Sequence, residues 1–97
     1  MTSTGEFAAH LSRIARENKA LCAFVRLDGE EALAAALAAQ NRHASGNALG
    51  PLDGITVAIK DNLAVAGRPW TAGIAGRRDV VAKADASAVA SLRSAGC

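Results

Sequence analysis

The chain has 97 residues, a formal charge of +2 and an apolar share of 51% that leans on alanine, with Phe7, Phe24 and Trp70 as its aromatic residues. That length fits one domain at most, and a chain of this size buries only about two thirds of its unfolded surface, so small side chains leave a thin core. Acidic and basic residues interleave, Arg77-Arg78 is the one adjacent basic pair, and Cys22 and Cys97 are the only cysteines, which excludes a nucleic-acid-binding stripe and a disulfide framework.

In chain order, Ser3-Thr4-Gly5-Glu6 has capping-box spacing, and Phe7, Leu11 and Ile14 follow at i, i+4 and i+7, predicting an amphipathic helix over 4–18. Its charged residues, and His10 among them, fall on the solvated faces. Glu6, His10 and Arg13 interrupt any secretory leader, and no apolar run reaches membrane-spanning length. These features, with two unframed cysteines, predict a cytoplasmic protein in a reducing compartment.

Residues 20–27 are almost continuously apolar, too short for a typical helix, and end in the turn signal Asp28-Gly29; the expectation is a buried strand. Asp28 and Glu31 have the spacing to cap the next element. Residues 30–42, rich in alanine and leucine, predict a second helix with Leu33 and Leu37 one turn apart on its core side. Residues 43–49 are small and polar around Gly46 and read as a surface connection.

The stretch from Gly50 to Gly67 carries one lysine in a run that otherwise reads as a second buried strand. Ile55 to Ile59 are all apolar or β-branched, and period 2 puts Lys60 at the strand's carboxyl end. A lysine at a strand end ordinarily snorkels to water; the same end of an open α/β sheet is where functional residues are presented. Residues 67–76 hold three glycines and a proline and predict irregular backbone without a phosphate-binding fingerprint. Residues 77–83 read as loop with a short extended piece. Asp85 as N-cap, Arg93 in the last turn and Gly96 past the end predict a third helix over 86–95.

Gly50-Pro51-Leu52-Asp53-Gly54-Ile55-Thr56-Val57-Ala58-Ile59-Lys60-Asp61 resembles the lysine-bearing segment of the amidase signature family, in which Gly-Pro-Leu-x-Gly-(Ile/Val)-Pro-x-x-(Val/Ile)-Lys-Asp holds the lysine of a Ser, cis-Ser, Lys triad. Val65-Ala66-Gly67, Thr71-Ala72-Gly73 and the stretch from Asp85 to Gly96 continue the resemblance. It departs at Thr56, where proline is common, at Trp70, where threonine is frequent, and at Ile74, where a serine usually follows Thr-Ala-Gly. The resemblance implies an α/β architecture: residues 1–97 would be the N-terminal, incomplete portion of a single amidase domain, contributing about three helices and two main strands to a mixed sheet flanked by helices.

It also implies Lys60 as the catalytic residue, a small-molecule carboxamide as substrate of the full-length parent, no metal or organic cofactor, and a possible homo-oligomer or partner chain. The glycine- and serine-rich loop that brings the cis-serine, oxyanion hole and nucleophile in that family does not occur in these residues. The serines at 3, 12, 45, 87, 91 and 94 lie without a glycine elbow, so the isolated chain is expected to be inactive. Burial beneath Ile59 and Leu63 is the expected means of favouring a neutral amine. Two other readings stand beside this one: a complete small α/β binding or structural module without catalysis, and an amidotransferase subunit of the same family acting on charged tRNA.

Overall fold

Ser3 opens the first helix as its spacing predicts. Its hydroxyl accepts the Glu6 amide at 3.1 Å while the Glu6 carboxylate accepts the Ser3 amide at 3.1 Å, satisfying two donors that a helix start leaves orphaned. The computed structural model describes residues 3–97 and contains α1 (Thr4–Leu21), α2 (Gly29–Ala44) and α3 (Ser87–Ser94), with a single 3₁₀ turn at Ala75–Arg77.

Helices α1 and α2 form an antiparallel hairpin. Gln40, near the end of α2, accepts both the amide and the hydroxyl of Thr4 at the start of α1, and Phe7 and Leu11 bury against the hairpin along with Ala39. The small side chain of Ala39 lets the helices approach closely, so the predicted core face of α1 is correct. On α2, Ala39 is buried while Leu37 stays half exposed.

Helices α2 and α3 end the same way. The Asn47 amide bonds to the Arg42 carbonyl at 2.8 Å and the Gly46 amide to the His43 carbonyl at 3.2 Å; Cys97 and Gly96 repeat the pattern on Leu92 and Arg93 at 3.1 and 3.0 Å. This is the Schellman closure, and it requires the positive φ found at Gly46 (76°) and Gly96 (96°). The starts agree less well with their predicted caps. Asp28 precedes α2 without a side-chain cap, since its carboxylate takes Arg26 at 2.9 Å and Arg68 at 3.1 Å, and Glu31 also pairs with Arg68. Asp85 likewise leaves α3 uncapped and accepts Arg93 Nε at 2.8 Å and the Ala66 amide at 2.8 Å. In both places an arginine outcompetes the helix amide, Arg68 from a distant segment and Arg93 from α3 itself, because a charge-assisted bond is the stronger of the two.

The predicted α/β architecture is not formed: among the described residues there are three α-helices and no strand or sheet. Residues 20–27 are not a buried strand. Helix α1 runs on to Leu21, Cys22 turns the chain in left-handed conformation, and Asn18 holds Phe24 by bonding to both its amide (2.8 Å) and its carbonyl (2.9 Å). Val25 is 86% exposed. Residues 55–60 are not a buried strand either, for Ile55 is 51% and Val57 44% exposed. The reason is physical: a strand exists only through the ladder it shares with a neighbour, and among the described residues no backbone group from Thr56 to Ile59 has a backbone partner. Among the described residues, extended pairing is confined to a short antiparallel bridge of Pro69 with Val81, flanked by bonds from Gly67 to Ala82 (2.8 Å) and from Trp70 to Val80 (2.9 Å). Among the described residues no helix is long and apolar enough to cross a membrane.

Candidate active site

The segment that carries Lys60 is suspended between two anchors, each built on an aspartate. The first lies before it. Asp53 is 3% exposed, and its carboxylate accepts Arg42 Nε at 2.8 Å, Arg42 Nη2 at 2.5 Å and the Leu49 amide at 3.0 Å. Three donors on one carboxylate, foremost the Arg42 guanidinium, hold its pKa far below the usual carboxylate range. The Asp53 carbonyl accepts His43 Nε2–H at 2.9 Å, and the neighbouring Gly54 amide bonds to the Gly96 carbonyl at 2.9 Å. Asp53 thus ties the last turn of α2, and Gly54 the end of α3, to the start of the lysine segment.

The second anchor follows Lys60. The Asp61 carboxylate accepts the Thr71 hydroxyl and, at 3.4 Å, the Thr71 amide; the Thr71 hydroxyl, ahead of any other contact, lowers the Asp61 pKa. The Ala72 amide bonds to the Asp61 carbonyl at 3.3 Å, and Trp70 Nε1–H donates to the Asn62 carbonyl at 3.0 Å. Arg77 lies 4.7 Å from the Trp70 ring centroid and donates from Nη2 to the Trp70 carbonyl at 3.1 Å, so the indole is held from both sides. The Lys60 carbonyl accepts the Leu63 amide at 2.9 Å, closing a turn directly after the lysine.

Lys60 itself is exposed and, among the described residues, its side chain makes no ion pair or hydrogen bond. Leu63 is 41% exposed, so the apolar cover expected over the amine is not provided by these neighbours. Ile74 also faces solvent, and the absence of a hydroxyl there leaves no orphan: among the described residues every buried side-chain nitrogen and oxygen has a partner. Beyond the turn, Asn62, Leu63, Trp70, Val81 and Ala84 line an open, mostly apolar depression of about 540 Å³.

Sequence reasoning singled out Lys60 and missed both anchors. Asp53 reads as a turn residue in Asp53-Gly54, and the signal that it is buried is an arginine eleven positions earlier on another element. Asp61 and Thr71 are each visible as motif residues, but nothing local says that they meet. Arg68 reaches across to Asp28 and Glu31 at the start of α2.

Comparison with known proteins agrees with the motif. The amidase family model matches residues 7–97. The chain is 43% identical over 88 residues to a glutamyl-tRNA(Gln) amidotransferase subunit of Salinispora tropica, covering 91% of this chain and 18% of that protein. It is 41% identical over 88 residues to indoleacetamide hydrolase of Bradyrhizobium diazoefficiens, covering 91% of this chain and 17% of that protein. With the corresponding glutamyl-tRNA(Gln) amidotransferase subunit of Azoarcus sp. it shares 48% over 86 residues, 89% of this chain and 18% of the relative. No solved structure matches the chain. The chain belongs to the amidase family, and it spans less than a fifth of the length of the curated relatives it matches.

Proposed function

We propose that residues 1–97 are the N-terminal, Lys60-bearing portion of an amidase that hydrolyses a carboxamide C–N bond through a Ser, cis-Ser, Lys triad. The observation that carries this reading is the family match over residues 7–97, inside which Gly50 to Asp61 reproduces the lysine-bearing segment. In the complete enzyme the serine oxygen attacks the carbonyl carbon, and its proton passes through the cis-serine to the Lys60 amine. The C–N bond then breaks, the proton goes to the departing nitrogen, ammonia or an amine leaves, and water hydrolyses the acyl-enzyme. Lys60 needs no metal or organic cofactor for this role. The rest of the enzyme supplies the nucleophile, the oxyanion donors and the water-free surroundings that an exposed Lys60 lacks here. The site of action is the cytoplasm.

The test compares two substitutions in the complete polypeptide. Lys60→Ala is expected to lower kcat by several orders of magnitude, about the loss seen on removing a triad member, with the melting temperature little changed. Lys60→Arg is expected to be as inactive, because a guanidinium keeps its proton. Near-normal acyl-enzyme formation in Lys60→Arg removes Lys60 from the catalytic machinery.

A second reading within the family is an amidotransferase subunit that works on charged tRNA, favoured by the names of several relatives. Ammonia release from glutamine that depends on mischarged tRNA and on a partner subunit supports it; ready hydrolysis of a simple amide such as indoleacetamide by the single polypeptide supports the free amidase.

A further inference from the structure

Between the Asp53 anchor and Lys60 the chain is unfastened, since no backbone group from Thr56 to Ile59 has a backbone partner among the described residues. On the carboxyl side the chain is fastened at consecutive positions: the Asp61 side chain and carbonyl to Thr71 and Ala72, the Asn62 carbonyl to Trp70, the Leu63 amide to Lys60. The Thr71 hydroxyl, while bonded to Asp61, also accepts the Gly73 amide at 3.2 Å, so the clamp has a defined orientation.

The clamp has a second effect. A carboxylate next to a lysine in sequence is its nearest available counter-ion, and a fixed counter-ion favours the ammonium form. Here both carboxylate oxygens are engaged by Thr71, and among the described residues no ion pair joins Asp61 to Lys60. After the Thr71 and Gly73 donors, the Arg26 charge also lowers the Asp61 pKa.

Building on the reading of Lys60 as the proton acceptor, we infer that Asp61 is a positioning residue held by Thr71, which aims Lys60 and keeps the neighbouring carboxylate from pairing with it. The reacting amine sits at the end of a flexible stem, and a displacement of about 1 Å at such a group costs on the order of a hundredfold in rate.

The experiment measures kcat/KM against pH for the complete polypeptide carrying Thr71→Val, Thr71→Ser, Asp61→Asn and Lys60→Ala. Thr71→Val, which keeps shape and loses the hydroxyl, is expected to lower the plateau at least tenfold and to move the acid limb up by about one pH unit, as the freed carboxylate pairs with the amine. Thr71→Ser is expected to restore both to within about threefold and a few tenths of a pH unit. Asp61→Asn, without the charge, is expected to lower the plateau and leave the limb in place; if Thr71→Val does not fold, this variant carries the test, and an unchanged plateau in it overturns the proposal. A Thr71→Val profile that superimposes on wild type, or one that only loses amplitude together with melting temperature, overturns the positioning role while an inactive Lys60→Ala leaves the proposed function standing. An active Lys60→Ala removes both.

Discussion

Asp53 accepts bonds from Arg42, His43 and Leu49, and its titration makes that anchor testable. The Arg42 guanidinium and the Leu49 amide lower its pKa, Thr71 does the same for Asp61, and Arg93 with the Ala66 amide for Asp85. A carboxylate whose folded pKa lies below the ordinary value of about 3.9 adds stability that is fully present above that value and is lost as pH falls through the folded one. Urea unfolding of the chain is therefore expected to be flat in pH from about 5 to 7 and to weaken progressively below about 4. Asp53→Asn is expected to be the most destabilising of the three Asp→Asn variants at neutral pH, because it strands Arg42 beside a half-satisfied amide, and to show the shallowest acid slope. Parallel acid slopes for wild type and Asp53→Asn count against Asp53 as the titrating group.

Among the elements, α3 shows how a terminus becomes a joint. Gly96 closes the Schellman turn of α3 and at the same time lies against Asp53: a Cβ built at position 96 falls 2.6 Å from Asp53 Oδ1 and 2.8 Å from its Cα. The same residue thus meets a local demand for positive φ and a distant one for space. Gly96→Ala is expected to cost about 2 to 3 kcal/mol in urea unfolding. Gly29→Ala is the control, since nothing lies within 4 Å of a Cβ there and alanine is the better helix former. Equal stability of the two variants removes the Gly96–Asp53 contact from the account of the fold.

Taken whole, the molecule is loosely built. Its accessible surface is 6653 Å², against about 5,200 Å² for a compact protein of its mass, and its radius of gyration is 14.5 Å, against about 12.5 Å for its length. Ile55, Val57, Leu63 and Val81 are exposed, and the unpaired backbone from Thr56 to Ile59 offers an edge for association. The isolated 97-residue chain is expected to sediment as a concentration-dependent mixture, to bind a hydrophobic dye and to melt broadly. A sharp, cooperative unfolding of a stable monomer runs against this and favours a self-sufficient module.

The sequence by itself determined the three helices, the Gly96 ending of the third and the family, because helical periodicity, a glycine past the last turn and a contiguous motif are local and survive whatever surrounds them. Only the tertiary structure decided that Asp53 is buried, that Asp61 is held by Thr71, and that Asp28 and Asp85 give their carboxylates to arginines instead of helix amides. The contacts of Asp53 with Arg42, Asp61 with Thr71 and Asp28 with Arg68 join residues well separated along the chain, and no spacing rule encodes them. The two predicted strands failed for a related reason. An apolar, β-branched run such as Ile55 to Ile59 expresses a readiness to be covered, whereas a strand is a relation between two segments, and among the described residues the second segment is not there.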